Sequence, residues 1–402
     1  MNSKLFAFPN SQTFPLHEED EASVAILMRT KDRPILLPRG LSSVINQNFT
    51  DWHLFLINDS EDTETVDQVL LPYKAKLKGK LTIVDNGRLL GEDGLSLERE
   101  RPLNAGIKAV LKANNNKTTQ QRFAYFVVHD DDDAWHPSFL QETVTFLEQD
   151  ENTQYAGVCT SVTMIEEEIK DGKVHYLKEY PWKPHVKAVS FWELMKTNQI
   201  VPIASFFRIE LFERIGVFNH GMPVYDDWDF ALRALSCADI GFIEKPLAYY
   251  HKRVRNESLG SASANTASAT FGFWNRKYEN AILREAIKDG PGNYGTLFAM
   301  ANFEKRMQFE FSKVNQKNEE LKKMISMNAR TNSSANIGAS QKKEKSFLKK
   351  IDSFFYQNLF RHILKLFNIP KPPPEKRKSF LNRLDSCLYQ VIFKHILKIF
   401  GK

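Results

Sequence analysis

Between Ser23 and Asp130 the chain alternates apolar runs of strand length with amphipathic segments of helix length. "SVAILM", "WHLFLIN", "KLTIVDN" and "FAYFVVHD" read as strands. "ILLPRGLSSVIN", "TETVDQVLLPYKAKL" and "RPLNAGIKAVLKAN" read as helices, Pro38 placing the regular part of the first one late. No other feature constrains the fold as strongly, because parallel neighbours need a crossover connection and a helix is the usual one. The expectation is an α/β chain with a mostly parallel central sheet and helices on both faces. Ligands of such sheets sit beyond the carboxyl ends of the strands. That singles out Thr30 to Arg33, Asn58 to Ser60, Asp85 to Arg88, and the aspartate run Asp130 to Asp133.

The second half is not a repeat of the first. A helix ("PSFLQETVTFLEQ") leads into residues 155–250, where short strands mix with helices such as "AVSFWELMKT" and "RIELFERIG". "SLGSASANTASAT" (258–270) has the composition of a flexible loop, "NFEKRMQFEFSKVNQKNEELKKMI" (302–325) that of a charged helix, and "NARTNSSANIGASQ" (328–341) that of a linker. Beyond it, "KSFLKKIDSFFYQNLFRHILKLF" (345–367) and "KSFLNRLDSCLYQVIFKHILKIF" (378–400) share 14 of 23 positions, so the segment is duplicated. Each copy spaces Phe, Leu and Ile by three to four residues among Lys, Arg and His, the pattern of a basic amphipathic helix. The expected organisation is a tail (1–20), a folded body (21–300), the charged helix (301–327), a linker (328–344) and the repeats (345–402).

Charge follows the same division. Residues 341–402 hold 15 Lys and Arg against 4 Asp and Glu, leaving 40 basic against 45 acidic residues in the remainder. A mildly acidic body with a basic appendage is indicated. No apolar run approaches the roughly 20 residues of a membrane-spanning helix. The first residues lack the basic-then-apolar pattern of a secretory signal. Cys159, Cys237 and Cys387 are too dispersed for a disulfide framework or a zinc cluster, so a cytoplasmic setting is expected.

The run "HDDDDAWHP" poses a physical problem, since adjacent like charges repel. It is either a solvated helix start, where carboxylates favour the dipole, or a site where something positive sits. A divalent cation shared with phosphate oxygens would relieve the repulsion.

"HDDDDAWHPSFL" resembles the Asp-x-Asp segment of family 2 glycosyltransferases of the GT-A fold. Three further segments fall in that family's order. "VAILMRTKDRPILLPRGLSSVINQNFTDWHLFLINDSED" resembles its nucleotide-binding βαβ unit, "RPLNAGIKAV" the segment before the Asp-x-Asp strand, and "YDDWDFALRAL" its acidic motif. The resemblance covers about residues 22–255. It implies that Thr30 and Arg33 line a nucleotide pocket and that Asp59 meets the base, although the family's usual glycine is absent from "NDSED". Arg101, or Arg99 in an alternative register, would contact the nucleotide. Asp130 would face the ribose and Asp132 would hold Mn²⁺ or Mg²⁺. Asp131 is then a spacer facing elsewhere, and Asp133 a cap for the next helix. Asp227 matches the general base, with Asp226 beside it. His251 is the candidate second metal or diphosphate ligand, and Arg253 an alternative phosphate contact.

The function implied is transfer of a sugar, with inversion, from a nucleotide-sugar donor to a surface glycan or lipid-linked acceptor, UDP-sugars being favoured. The basic repeats are read as binding an anionic membrane surface, making the enzyme peripheral to the inner face of the cell membrane. Packing on the body or pairing into a homo-oligomer is the alternative. Nothing resembles a nucleic-acid recognition module. Two rivals stand beside this reading: a degenerate GT-A scaffold tethered by its repeats, and a nucleotidyltransferase. The latter lacks its Gly-rich loop, since "RTKDRP" follows the first strand.

Overall fold

A computed structural model of the chain describes residue 14 and residues 23–60, 63–85, 100–116, 122–219, 224–253, 268–289 and 294–331. The N-terminal tail, most of the 258–270 segment, most of the linker and both basic repeats lie outside the described residues. The chain divides into two compact units, Met1–Glu310 and Phe311–Lys402.

Strands β1 (Ser23–Thr30), β2 (Trp52–Asn58), β3 (Leu81–Asp85) and β4 (Phe123–Asp130) form the parallel half of the sheet, in the order β3-β2-β1-β4. Helices α1 (Leu37–Ile45) and α2 (Thr63–Leu70), the short α3 (Lys74–Leu77), and α4 (Glu100–Asn115) supply the crossovers. The expected single helix over "TETVDQVLLPYKAKL" is broken by a 3-10 turn at Leu71–Tyr73, where Pro72 withdraws a backbone donor.

Alternation along the strands sends side chains to two separate cores. Val24, Ile26 and Met28 pack with Leu54 and Leu56 against α1 and α2. Ala25 and Leu27 pack with Phe55 and Ile57 against Leu103, Ile107 and Val110 of α4. Strands buried on both faces therefore read as unbroken apolar runs. α4 lies close because Gly106 is there: a Cβ would come within 2.6 Å of Ile57.

The rest of the sheet is mixed. β5 (Ala134–Trp135) is followed by α5 (Phe139–Leu147). Next come β6 (Tyr155–Lys170), β7 (Lys173–Trp182), α6 (Phe191–Lys196), β8 (Ser205–Arg208), α7 (Leu211–Ile215), α8 (Asp226–Cys237) and β9 (Asp239–Arg253). Beyond β4 the order is β8-β6-β9-β5, with β7 paired to β6. The strands here are longer than expected: β6 and β9 pair in parallel from Tyr155 opposite Asp239 to Glu167 opposite Arg253. β6 and β7 form a hairpin closed by Asp171 and Gly172, both at positive φ, as an Asp-Gly turn of this hand requires. α9 (Ser268–Asp289) follows. α10 (Tyr294–Thr331) starts earlier and ends later than the charged helix read from sequence, taking up the first residues assigned to the linker. No helix of the described residues is long and apolar enough to cross a membrane.

Candidate active site

Sheet register makes the first contact of the site. β1 and β4 run parallel with Arg29 opposite Asp130. The Arg29 guanidinium donates to Asp130 Oδ1, at 2.7 Å from Nη2 and 3.3 Å from Nε. One residue further on, Thr30 Oγ1 donates to Asp131 Oδ2 at 2.7 Å. Arg33 Nη1 lies 3.2 Å from Asp131 Oδ1 and 3.3 Å from Asp132 Oδ2. From the other side, Arg253 Nη2 donates to Asp132 Oδ2 at 2.5 Å, and the His251 backbone N–H donates to Asp133 Oδ1 at 2.8 Å. The repulsion within the run is thus met by three guanidiniums and two neutral donors of the chain itself.

The turn is also clamped from below. His129 is fully buried, with Nδ1 2.7 Å from the Asp130 carbonyl, and burial pulls its pKa down to about 4, so it is neutral. Ser43 Oγ accepts from the Trp135 backbone N–H at 2.7 Å, and Trp135 stacks on Phe139 with centroids 4.5 Å apart. Gly40 lets α1 approach: a Cβ there would stand 3.1 Å from the Asp131 carbonyl oxygen.

A second layer lies behind Asp132. Glu167 of β6 accepts from Arg39 Nη1 and Nη2 at 3.0 and 2.8 Å and from His251 Nδ1 at 3.0 Å, with Arg253 Nη1 at 3.5 Å. Arg39 also donates to the Asp132 carbonyl at 2.6 Å. Burial pushes the Glu167 carboxyl up, but the bonds from His251 and Arg39 outweigh it and hold the group at about 2. Burial pulls His251 below the usual imidazole range. Asp131, in contrast, is driven up to about 7 by burial against the opposing charge of Arg33. Asp133 is raised by burial and by Asp132 and Asp130.

The other acidic pair joins the same site. Tyr225, at φ +72°, turns the chain into α8, which opens with Asp226 and Asp227. Asn198 Nδ2 donates to Asp227 Oδ2 at 3.0 Å. Although burial opposes it, the Arg29 guanidinium is held more firmly charged by Asp130, then Asp226, then Asp227. The Tyr250 phenol is raised by burial and by Asp133, Asp130, Asp132 and Asp227 together. Arg29 and Tyr250 therefore stand where the two carboxylate clusters converge.

Beside this centre an open pocket of about 240 Å³ is lined by Thr30, Asp32, Arg33, Leu37, Ser60 and Val66, among others. Thr30 and Arg33 are in it. Asp59 is adjacent, its N–H donating to the Thr30 carbonyl at 3.0 Å and its Oδ2 3.1 Å from Lys31 Nζ. Arg101 is on the first turn of α4, but its side chain, like all of Arg99, lies outside the described residues.

Two expectations are corrected. Asp131 does not face away: it is 1% exposed and tied to Thr30 and Arg33. Asp133 does not cap α5, which starts at Phe139; it receives the His251 N–H and so ties the turn to β9. Sequence reasoning also passed over Arg29, Arg39, Glu167, Asn198 and Tyr250. For Glu167 no local signal singles it out of "EEE"; only the pairing of β6 with β9 turns it inward.

A divalent cation shared with phosphate needs only one or two protein ligands. Among the described residues no group of three or more His, Cys, Asp and Glu is arranged to hold a metal by itself. Asp132 nevertheless fits a shared ion: Oδ2 accepts from Arg253 and Arg33, while Oδ1 has no hydrogen-bond partner among the described residues. Glu167, bonded to His251 Nδ1, fixes the orientation of that imidazole ring.

Residues 25–216 match the model of Glycosyl transferase family 2, a span holding Thr30, Arg33, Asp59, Arg101, Asp130 and Asp132. Residues 25–216 are a family 2 glycosyltransferase domain. The matched span stops short of Asp227 and His251, so the placement of the Asp226–Asp227 pair rests on the geometry above. An uncharacterized glycosyltransferase of Haemophilus influenzae is 23% identical over 213 residues, 52% of this chain and 58% of the relative. The chain thus spans little more than half of that relative's length. Among solved structures, S. aureus TarS 1-349 in complex with UDP-GlcNAc is similar with a TM-score of 0.45 at 16% identity, over 70% of each chain. The mannosyltransferase PcManGT from Pyrobaculum calidifontis, in complex with GDP-Man and Mn²⁺, is similar with a TM-score of 0.40 at 15% identity, over 71% of each chain.

Proposed function

We propose that this glycosyltransferase moves a sugar from a nucleoside diphosphate sugar, a UDP-sugar being favoured, to a hydroxyl of a cell-surface glycan or lipid-linked acceptor, with inversion at the anomeric carbon. The observation that carries the reading is the convergence of the Asp130–Asp133 turn and the Asp226–Asp227 pair on Arg29 and Tyr250. Inverting transfer needs a base on the acceptor side and charge stabilisation on the leaving-group side. Asp227, oriented by Asn198, takes the proton of the acceptor hydroxyl as its oxygen bonds the anomeric carbon. The bond to the diphosphate breaks on the opposite face, and the nucleoside diphosphate leaves. The 240 Å³ pocket takes the nucleoside, with Thr30 and Arg33 in its wall, Asp59 towards the base and Asp130 towards the ribose. Arg101 contributes a further nucleotide contact. Mn²⁺ or Mg²⁺, held by Asp132 and His251, would neutralise charge developing on the diphosphate.

Two variants test this. Asp227→Ala should lower turnover by about 10²–10⁴-fold with nucleotide affinity retained. Asp132→Ala should abolish the Mn²⁺-dependent part of the thermal shift given by UDP. Donor-dependent transfer retained by the double variant would overturn the mechanism.

A further inference from the structure

Asp132 is gripped at two points, and both grips end on Glu167. Arg39 of α1 donates to the Asp132 carbonyl at 2.6 Å and forks onto the two oxygens of Glu167 at 3.0 and 2.8 Å. Arg253 of β9 donates to Asp132 Oδ2 at 2.5 Å, and its other terminal nitrogen reaches Glu167 Oε1 at 3.5 Å. Asp132, Arg39, Glu167 and Arg253 thus close a ring drawn from the turn after β4, from α1, from β6 and from β9. A fifth group joins it: His251 Nδ1 lies 3.0 Å from Glu167 Oε2. One carboxylate therefore stands behind both residues to which the proposed function gives the cation.

The sheet puts Glu167 there. β6 and β9 pair in parallel with Glu167 opposite Arg253. On the other edge of β6 the register with β7 shifts at this point: Glu166 and Glu167 oppose Lys178 and Tyr176, so Leu177 is passed over. Irregularities of this kind bend the ladder and gather beside active sites. Glu166 meets Lys178 and Tyr180 at the surface, whereas Glu167 is 2% exposed. Stability alone does not call for the ring, since apolar side chains of like volume often hold a fold as well as buried ion pairs do. What the ring does is apportion charge. With Glu167 drawing on Arg39 and Arg253, Asp132 gives only Oδ2 to guanidiniums, and Oδ1 has no hydrogen-bond partner among the described residues.

We propose that Glu167, with Arg39, is a positioning residue for the diphosphate side of the site. It holds Asp132 by its backbone and by Oδ2, fixes the His251 ring, and keeps Asp132 Oδ1 open to a divalent cation bound with the donor's diphosphate. The inference rests on the proposed cation role of Asp132. Its own content is that side chains which do not meet the ligand set the cation's affinity. Outer partners of this kind typically weigh about 10–100-fold in metal affinity.

The test is calorimetric titration of UDP into the full-length protein with and without Mn²⁺. In the wild type Mn²⁺ should tighten UDP binding, and Asp132→Ala should abolish that gain. Glu167→Gln keeps the shape and removes the charge; it should weaken the cation's binding by about tenfold and so remove most of the gain. UDP alone should bind this variant at least as tightly as the wild type, because Arg39 and Arg253 then carry uncompensated positive charge. Arg39→Lys keeps the charge but loses the fork, and should lose part of the gain; an unchanged gain there removes Arg39 from the role. A function confined to stability would weaken UDP binding with and without Mn²⁺ alike. That result, or an unchanged gain in Glu167→Gln, refutes the positioning role and leaves the cation reading standing. A gain that Asp132→Ala leaves intact, or no gain in the wild type, defeats the cation reading and the inference with it. Thermal melts alongside report folding, and if Glu167→Gln does not fold, Arg39→Lys decides the outcome by the same comparison.

Discussion

Arg253, the last residue of β9, donates to Asp132 Oδ2 at 2.5 Å, with the two side chains 1% and 5% exposed. The contact fastens the aspartate turn to the opposite end of the sheet, and the second guanidinium nitrogen reaches Glu167 behind it. Removing one partner of a buried pair leaves the other charge uncompensated. Arg253→Met should therefore cost about 3 kcal/mol, the low end of the usual range because Arg33 remains on Asp132. Adding Asp132→Asn should recover part of that loss, giving a coupling of at least about 1 kcal/mol in urea-melt double-mutant cycles. Strict additivity would mean that the pair does not hold the turn.

Glu167 contributes to the acid limb of stability. Its folded-state pKa, about 2, lies below the ordinary carboxylate value of 4.5. A depressed carboxylate contributes stability fully above its unfolded pKa and loses it as pH falls through the folded one. The window therefore runs from about pH 4.5 down to about pH 2. Glu167→Gln should destabilise at neutral pH, where Arg39 and Arg253 lose their counter-charge, and should show a shallower loss between those limits. Chemical denaturation of both proteins at several pH values measures the difference; parallel curves would remove Glu167 from the account.

What the sequence made legible follows from period and register. β2 and β4 match their apolar runs residue for residue, Trp52–Asn58 and Phe123–Asp130, because strands buried on both faces are unbroken in sequence. The β6–β7 hairpin was not read from the sequence, although "KDGK" holds its Asp-Gly turn; β6 has 16 residues, fixed by pairing with β9 rather than by a local pattern. The aspartate run was visible as an anomaly; a positive partner was expected there in the form of a divalent cation, and among the described residues guanidiniums face it. The identity of these partners was not readable, since Arg29, Arg33 and Arg253 reach the run from both sequence neighbours of β1 and the distant end of β9. Spatial convergence of Asp227 with that run could be carried by resemblance but not by spacing.

Gly40 offers a test of how tightly the turn is positioned. Its absent side chain leaves 3.1 Å to the Asp131 carbonyl oxygen, 3.1 Å to Met28 Cε and 3.3 Å to Asp131 Cα. The methionine end can move aside, but the Asp131 backbone is held by Thr30, Arg33 and the clamp below. Gly40→Ala is expected to cost about 1–3 kcal/mol through overpacking and to weaken nucleoside diphosphate binding by displacing the turn. Thermal melts and UDP titration check the two effects; a stability loss with unchanged UDP affinity would separate the turn's position from binding.

The basic repeats at 345–367 and 378–400 call for a test on the full chain. Their Lys- and Arg-flanked apolar spacing is that of interfacial helices, and two linked copies raise avidity without any new contact. Deleting residues 342–402 should release the protein from liposomes containing anionic lipid and leave transfer to a soluble acceptor largely unchanged. Binding of the wild type should weaken with salt, as attraction between basic residues and an anionic surface is screened over roughly 8–10 Å at physiological ionic strength. Co-sedimentation that is the same with and without the repeats would reject membrane attachment, and a fall in molar mass on deletion would assign them to self-association instead.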